Sequence, residues 1–468
     1  MSSGLLARLR GVIALPTDNL LARFVTMNML GTGGSLIIGF GTSIVLARLL
    51  GPSGRGLLGL MLSVNQLVVV LASIGLPTAV TYFASLPDSD PPAILGNCLI
   101  HAEVMAAILI PVSAFLRKPI ADAFGHGQGG RTWILVAALV PLTFLDWTTN
   151  SQLQGTLRFA RFNVVVIVAR VTYAIGVLIL LGVLNLGVAG GVIATGMGSI
   201  VMIFASLKPI LDRGAPRVDL GLMKRMFSYG WRAQLGAILQ LAYGRLDVII
   251  VEIYRPLSQV GYYVVAQTIA ELVLTLAQEF RWTSMVLVTK YEGDERQADT
   301  TADSVRHYGI LAVVAALGNV AFGSAVILIA YGHRFSPAIV PMLILLPGVC
   351  LVGLGIVIQG DLSGRGRPGL ASVLSGVAAF ITTALDFALI PPLGMVGAAL
   401  ASVVGYTALG VSSVIALRRV SGIPIHDLVV PTRADLEVYR SFVLRTVAKL
   451  RGGRDAEDHG GPTSGRHD

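Results

Sequence analysis

Long apolar stretches recur along the whole chain and alternate with short polar segments. Several reach the roughly 18–20 apolar residues that an α-helix needs to cross a bilayer core about 30 Å thick. The pattern predicts an all-α integral membrane protein with twelve transmembrane helices. The predicted spans are residues 24–47, 57–84, 94–116, 132–153, 162–184, 187–207, 227–254, 258–289, 307–331, 337–360, 369–390 and 395–417.

Charged residues interrupt the seventh and eighth predicted spans. A charge at the centre of a bilayer costs at least about 2.5–3.5 kcal/mol, so helices that served only as anchors would not carry them. These charges indicate that the two helices line a wet cavity and that the other helices form its walls. The charged residues are Arg232, Arg245, Asp247, Glu252, Glu271, Glu279 and Arg281.

Composition agrees with this interpretation. The 468 residues are 54% hydrophobic and only 13% charged, whereas a soluble domain has about 25% charged residues. The 54 glycines favour closely packed membrane helices. Cys98 and Cys350 both lie in apolar stretches, so no disulfide framework is expected. The net charge of +9 is attributed to membrane orientation and not to a nucleic-acid partner.

The distribution of basic residues predicts that both termini are cytoplasmic. With the N-terminus inside, the inside segments before the C-terminal tail hold fifteen lysines and arginines, and the outside loops hold seven. The segment 85–93 is the exception, because it should be inside yet has no basic residue. Pro16 and Asp18 interrupt the first apolar positions, so a cleavable signal peptide is not expected.

An internal repeat predicts two similar halves. Three matches recur at nearly one offset: LGxxGxxxATxxG at 186–198 as LGxxGxxxASxxG at 393–405, Gln154-Gly155 as Gln359-Gly360, and Pro141 as Pro347. They predict two six-helix bundles related by a pseudo-twofold axis along the membrane normal, with the substrate site between them. The expected organisation is a cytoplasmic segment 1–23, a bundle 24–209, a cytoplasmic linker 210–226, a bundle 227–418, a basic segment 419–451 and a disordered tail 452–468.

The basic segment after the last span has two interpretations. Apolar residues recur at helical spacing in 432–451, with basic residues among them. Such a helix suits the anionic inner leaflet of a membrane, but an ordinary cytosolic helix has the same pattern.

The arginines inside spans are candidate ligands for an anionic substrate, because guanidinium is always charged and binds phosphate bidentately. Asp247 follows Arg245 by two residues and so points to the opposite helix face. One of the two side chains is therefore expected to face the cavity, and the other a neighbouring helix. Arg232 and Arg281 have the alternative of extending to the membrane interface. The substrate-binding candidates are Arg245, Arg170, Arg281 and Arg232.

Carboxylates inside spans are candidates for ion coupling, because a buried carboxylate readily exchanges a proton. Their alternative role is to balance the arginines. The candidates are Asp146, Glu271, Glu103 and Asp386. Pro141 and Pro347-Gly348 are candidate hinges, since proline bends a helix. The chain has no Walker A loop, HExxH motif or paired cysteines, so neither a cofactor nor a metal is expected.

Several short motifs, in this order and at this spacing, resemble those of a known family. They are Leu49-Leu50-Gly51-Pro52-x-x-x-Gly56, Leu153-Gln154-Gly155-x-x-Arg158-Phe159, Arg245-Leu246-Asp247, Gly261-Tyr262-Tyr263-x-x-Ala266 and Tyr331-Gly332. Over about residues 20–420 the chain resembles the polysaccharide transporter (O-antigen type flippase) family of the multidrug/oligosaccharidyl-lipid/polysaccharide flippase superfamily.

The resemblance implies twelve helices around a cationic cavity and no enzymatic activity. It implies movement of undecaprenyl-pyrophosphate-linked oligosaccharide across a bacterial cytoplasmic membrane, driven by ion exchange, with membrane lipid, a glycan polymerase and chain-length proteins as partners. Three alternatives stay open. A multidrug exporter should have a net acidic lumen, and a membrane glycan polymerase or ligase should have a long outside loop; lipid II is a third substrate for the same fold.

Overall fold

The computed structural model describes residues 20–86, 88–124, 127–128, 130–155, 159–291, 294, 296–433, 435 and 437. Every regular element in these ranges is helical. The α-helices are α1 (Leu20–Ser73), α2 (Leu76–Ser85), α3 (Pro91–Phe115), α4 (Arg117–Ala123), α5 (Thr132–Gly155), α6 (Phe159–Val177), α7 (Gly187–Leu211), α8 (Leu220–Tyr254), α9 (Leu257–Ala270), α10 (Leu272–Lys290), α11 (Arg296–Val326), α12 (Ile339–Gly364), α13 (Pro368–Leu393), α14 (Met395–Ser421) and α15 (Ile425–Val429).

Two of these helices end in the wider turns of a π-helix. A π-helical segment, Leu178–Val183, continues α6, and another, Ile327–Tyr331, continues α11. A 3₁₀ segment, His333–Ala338, then leads into α12.

Nine helices in the described residues are long and apolar enough to cross a membrane, or ten if the bent pair α9 and α10 forms one span. The all-helical membrane architecture predicted from the apolar pattern is thus confirmed. Large apolar side chains such as Phe115 and Phe380 are exposed on the outer surface, as expected for helices in contact with lipid.

Three of the predicted spans differ in detail from the helices. The first span lies within α1, and the second begins in the same helix. Helix α1 departs from helical geometry at Gly51 (φ 66°, ψ −179°) and resumes at Pro52; proline is favoured at the first position of a helix. The second span breaks again at Gly75, before α2. The eighth consists of α9 and α10, which meet at a bend of 46° around Glu271.

The helices pack in two groups. Helices α1 to α7 contact one another, as do α8 to α14, and the groups meet where α1 and α2 contact α8 and α9. The largest buried cluster lies in the second group, on Tyr263, Tyr308 and Phe335. Two smaller clusters, which include Met61 and Phe144, fill the first group.

The two copies of the sequence repeat occupy matching environments. Gly187 begins α7 and Gly394 immediately precedes α14, and the two glycines have similar positive φ angles, 56° and 60°. Gly198 of α7 packs on Ala169 and Tyr173 of α6. Gly405 of α14 packs on Ala378 and Thr382 of α13, residues that lie 209 positions after Ala169 and Tyr173. The repeat therefore marks the same helix-hairpin contact in each group.

One end of the molecule, here the Gly51 end, joins the two groups by backbone contact. A Cβ at Gly56 would overlap the carbonyl oxygen of Leu257 and lie 2.8 Å from the amide nitrogen of Gly261. The Arg48 guanidinium donates hydrogen bonds of 2.5 Å to the carbonyl oxygens of Ala330 and Ile329. No side chain fits between α1 and α9 here.

The opposite end, here the Asp90 end, joins the groups through α2, α3 and α8. Gly75 meets Gly230 backbone to backbone. The rings of Tyr82 and Tyr229 stack at 4.4 Å. Two further contacts tie α3 to the segment before α8: Asn97 Nδ2 donates to the carbonyl oxygen of Asp219 at 2.9 Å, and Arg217 forms an ion pair with Asp90. Arg217 thus supplies a positive charge to the segment 85–93, which has none of its own.

Some predicted boundaries shift, and others lie outside the described residues. Helix α8 begins at Leu220, capped by Asp219, so the end of the linker 210–226 is helical. After α14, Asp435 accepts a hydrogen bond of 2.9 Å from Arg306 of α11 and anchors the chain beyond α15. Residues 1–19 and 438–468, with most of the predicted basic helix and the tail, lie outside the described residues.

We expect Gly261→Ala to destabilise the protein. The added Cβ would overlap the Pro52 carbonyl oxygen and lie 3.1 Å from the Gly56 nitrogen, and backbone atoms cannot move aside as a side chain does. Overpacking of this kind costs about 1–3 kcal/mol, so the midpoint of thermal unfolding in detergent should fall. Gly318→Ala is the control, since a Cβ there has no neighbour within 4 Å. Equal midpoints for the two variants would contradict the backbone contact.

Candidate anion-binding cavity

A cavity of about 360 Å³ lies between the two groups of helices. Helices α1, α6, α8, α9 and α10 form its walls, and the bend between α9 and α10 opens onto it. Its lining residues are Ser35, Leu36, Gly39, Phe40, Ser43, Leu46, Arg55, Arg170, Tyr173, Arg245, Thr268, Glu271, Leu272 and Thr275.

Three arginines converge on the cavity from three helices. Arg170 comes from α6 and Arg245 from α8, as the sequence analysis proposed, and Arg55 comes from the second part of α1. Arg245 lies nine residues before the end of α8, or about 13 Å by helical rise. Arg55 is only 8% exposed, and its Nε has no hydrogen-bond partner among the described residues.

The lining carries an excess of positive charge. Three arginines and one glutamate give it a formal charge of +2 when all four are ionised. Glu271 lies at the bend between α9 and α10, and it is the leading electrostatic partner of Arg245, followed by Asp247. Guanidinium groups in a site of low dielectric bind phosphate oxygens strongly and bidentately. The cavity is therefore suited to an anion with phosphate groups.

Asp247 faces away from the cavity into the second group of helices. Its carboxylate accepts hydrogen bonds from Tyr263 Oη at 2.5 Å, Gln267 Nε2 at 2.9 Å and the amide of Val248 at 2.7 Å. Ser402 Oγ of α14 is 3.5 Å away. Arg245 and Asp247 thus lie on opposite faces of α8, and Asp247 joins α8 to α9 and α14.

Asp386 of α13 lies near Asp247. It is fully buried, and neither of its carboxylate oxygens has a hydrogen-bond partner in the described part of the chain. The charged group that acts on the Asp386 carboxylate is the carboxylate of Asp247. Two buried carboxylates close together cannot both be ionised without a compensating cation. Arg245 offsets the charge of Asp247, so Asp386 is the member of the pair that a proton or a bound cation would stabilise.

The first group of helices holds a different polar cluster. Asp146 of α5 accepts a hydrogen bond of 2.9 Å from Ser199 Oγ of α7. Arg170, which lines the cavity, is its charged neighbour. Asp146 lies behind the cavity wall and acts on the cavity through Arg170.

Two of the remaining sequence candidates, Glu103 and Arg281, are absent from the described lining of the cavity. Glu103 is exposed on the same face of α3 as Val104 and Ile108, which places it on the outside of the helix group. Arg281 of α10 lies with its guanidinium 5.9 Å from the ring of Trp282. The side chain of Arg232 is outside the described part of the chain.

The candidate hinges lie inside continuous helices. Pro141 is within α5 and Pro347 within α12. A Cβ at Gly348 would lie 2.9 Å from the Val403 Cα, so this glycine allows α12 and α14 to approach closely. The hinge role of all three stays a prediction.

Arg55 is the residue that sequence reasoning missed. The predicted spans place it in the loop between the first two, because the apolar run of the first span ends near residue 47. The signal that could have found it is Pro52, which starts a helix that carries Arg55 in its first turn.

A helical membrane protein with a charged cavity enclosed between two groups of helices has the architecture of a transporter. Residues 45–340 match the polysaccharide biosynthesis protein family, and the chain belongs to that family.

The chain is similar in sequence to one curated protein and in fold to several solved structures. The chain is 24% identical over 372 residues to the probable low-salt glycan biosynthesis flippase Agl15 of Haloferax volcanii, covering 77% of this chain and 75% of that protein. Its fold is similar to an inward-facing multidrug resistance MATE family transporter (TM-score 0.70, 14% identity, 83% and 95% of the two chains). It is also similar to the lipid II flippase MurJ in an inward closed conformation (TM-score 0.69, 14% identity, 86% and 88%). The family resemblance drawn from the motifs is confirmed.

We expect Asp247→Ala to destabilise the protein more than a surface substitution does. The change removes the Asp247 acceptor from the buried Gln267 Nε2 and leaves Tyr263 Oη with only Ser402 Oγ, at 3.2 Å. A buried donor without an acceptor costs about 1–3 kcal/mol. Thermal unfolding in detergent measures the effect. Asp88→Ala, at an exposed site, is the control, and a loss no larger than the control's would argue against the network.

Proposed function

We propose that this protein is a flippase that moves a lipid-linked oligosaccharide, joined to undecaprenyl through a pyrophosphate, across a bacterial cytoplasmic membrane for surface polysaccharide biosynthesis. The observation that supports it most is the cavity with Arg55, Arg170 and Arg245 on its wall. A doubly charged pyrophosphate matches the formal charge of +2. The relative from Haloferax volcanii, named a glycan biosynthesis flippase, supports a glycan as the cargo.

The proposed topology has twelve spans with both termini in the cytoplasm. Helix α1 forms the first two spans, and the bent pair α9 and α10 forms one. Each of the other nine spans is a single helix: α3, α5, α6, α7, α8, α11, α12, α13 and α14. The matching environments of 186–198 and 393–405 support a pseudo-twofold axis along the membrane normal. In this arrangement the Gly51 end faces outward, and the halves alternate by opening at one end while the other stays closed.

We infer that the driving ion, a proton or sodium, binds at Asp386 and Asp247. Their burial and proximity support this, because a cation relieves the repulsion between the two carboxylates. Asp247 is two residues from Arg245 on α8, so occupation of the ion site acts on the helix that carries a cavity arginine. Asp146 and Glu271 instead balance the arginines of the cavity.

Arg245→Ala should abolish display of surface glycan, and Arg245→Lys should retain part of it. Two unit charges about 4 Å apart interact by about 4 kcal/mol at an effective dielectric of about 20. Alanine removes that interaction, whereas lysine keeps the charge and loses the bidentate fork. The measurement is surface glycan normalised to protein in the membrane. Arg334→Ala, an exposed arginine outside the cavity, is the control.

A second variant separates binding from ion pairing. If Arg245 only balances Glu271, the double variant Arg245→Ala/Glu271→Gln should restore both abundance and export. Full rescue by that variant, or normal export by Arg245→Ala alone, would overturn the assignment of Arg245 to the substrate.

Asp386→Asn should remove the dependence of transport on an ion gradient. The amide cannot release a proton and binds a cation weakly, so imposed proton or sodium gradients should no longer accelerate flipping in proteoliposomes. Glu103→Gln should keep the response, because Glu103 lies on the exposed face of α3. Gradient-driven transport by Asp386→Asn at the wild-type rate would place the coupling site elsewhere.

A further inference from the structure

We propose that Arg55 is the residue through which a bound anion releases the closed Gly51 end of the molecule. The proposal rests on the function proposed above, since it takes a lipid-linked pyrophosphate as the ligand. It assigns Arg55, one of the three cavity arginines, a second role besides contact with the anion.

A chain of contacts leads from the cavity to the Gly51 end. Arg55 Nη2 donates to Ser43 Oγ at 3.5 Å, and Ser43 Oγ accepts a second hydrogen bond from Tyr331 Oη at 3.2 Å. Arg55 and Ser43 belong to α1, in the first group of helices. Tyr331 belongs to the π-helical segment that ends α11, in the second group. Ser43 is therefore shared between a cavity arginine and the opposite half of the protein.

Tyr331 is held in the closed contact from several sides. Its ring packs edge-on against Phe40 of α1 at 6.1 Å. The two carbonyl groups that precede it in the chain, those of Ile329 and Ala330, accept the hydrogen bonds of Arg48. On the other side of Arg55, the next residue is Gly56, which touches the backbone of α9. Arg55 thus lies directly between the cavity and the contacts that close this end.

The guanidinium of Arg55 is poorly satisfied. Its Nε is buried and has no partner among the described residues, and its contact to Ser43 is longer than the 2.7–3.2 Å of a good hydrogen bond. A phosphate oxygen would accept a shorter, charge-assisted bond from the same group. A pyrophosphate that reaches this end of the cavity will therefore draw Arg55 away from Ser43.

Movement of Arg55 toward the anion changes the seam between the two halves. Ser43 keeps its hydrogen bond to Tyr331 of the second group, while the backbone around Arg55 moves toward the anion. Since Gly56 follows Arg55 in the same helical turn, a shift of Arg55 also disturbs the backbone contact with α9. Binding of the anion and opening of the Gly51 end are then one coupled event.

The test is a distance measurement between spin labels across the Gly51 end. Leu184 follows the π-helical end of α6, Leu393 is the last residue of α13, and both side chains are exposed. Each is replaced by a spin-labelled cysteine in a protein whose own cysteines are removed by Cys98→Ala and Cys350→Ala. The probe is farnesyl diphosphate, and its binding is measured separately by calorimetry. In the wild type, we expect the probe to add a population at longer distance.

The variants separate sensing from binding. Arg55→Gln should bind the probe more weakly, through Arg170 and Arg245, and at a saturating probe concentration should lack the added long-distance population. Ser43→Ala and Tyr331→Phe should show that population without any probe, because the seam is already weakened. Ser372→Ala, on the distant helix α13, should behave like the wild type.

Three results would overturn the inference. Normal probe-induced opening in Arg55→Gln would show that the anion acts through another residue. Closed distances in both Ser43→Ala and Tyr331→Phe without probe would show that this seam does not hold the end closed. Absence of probe binding to the wild type would instead overturn the proposed function, and this inference with it.

Discussion

Three guanidinium groups inside a membrane protein set the main constraint on this structure. Each would be costly in hydrocarbon, so the fold must surround them with polar surface and counter-charge. The cavity supplies hydroxyl groups from α1 and α9, a carboxylate from the bend at Glu271, and a second carboxylate, Asp146, behind Arg170. Close backbone contacts then join the two groups of helices at both ends of this polar space.

Much of the fold and part of the site could be predicted from the sequence. Apolar length determined where helices lie, because a span must satisfy its own backbone in lipid. Arg170, Arg245 and Glu271 were found because a charge within a long apolar run has few explanations besides a cavity or an ion pair. The repeat was visible because glycines at close helix contacts cannot vary freely, and Gly198 and Gly405 make the same contact in each half.

The other site residues could not be predicted, because their roles depend on which face of each helix points into the protein. Glu103 and Asp386 look alike in the sequence, yet one faces outward and the other is fully buried beside a second carboxylate. Helical periodicity does not separate them, because α3 and α13 are apolar on all sides. Arg55 was missed for another reason: a glycine and a proline indicated a loop, and the helix that restarts at once brings the arginine inward.

The two copies of the repeat have diverged in a way that a symmetric dimer could not. The hairpin contacts align Arg170 with Ala379 and Val177 with Asp386, each pair 209 residues apart. The cation of one copy and the acid of the other therefore have uncharged counterparts. In a homodimer every helix would have to carry both groups, and they would neutralise each other across the axis. Joining the copies in one polypeptide allowed these two aligned positions to differ, with the cation only in the first copy and the acid only in the second.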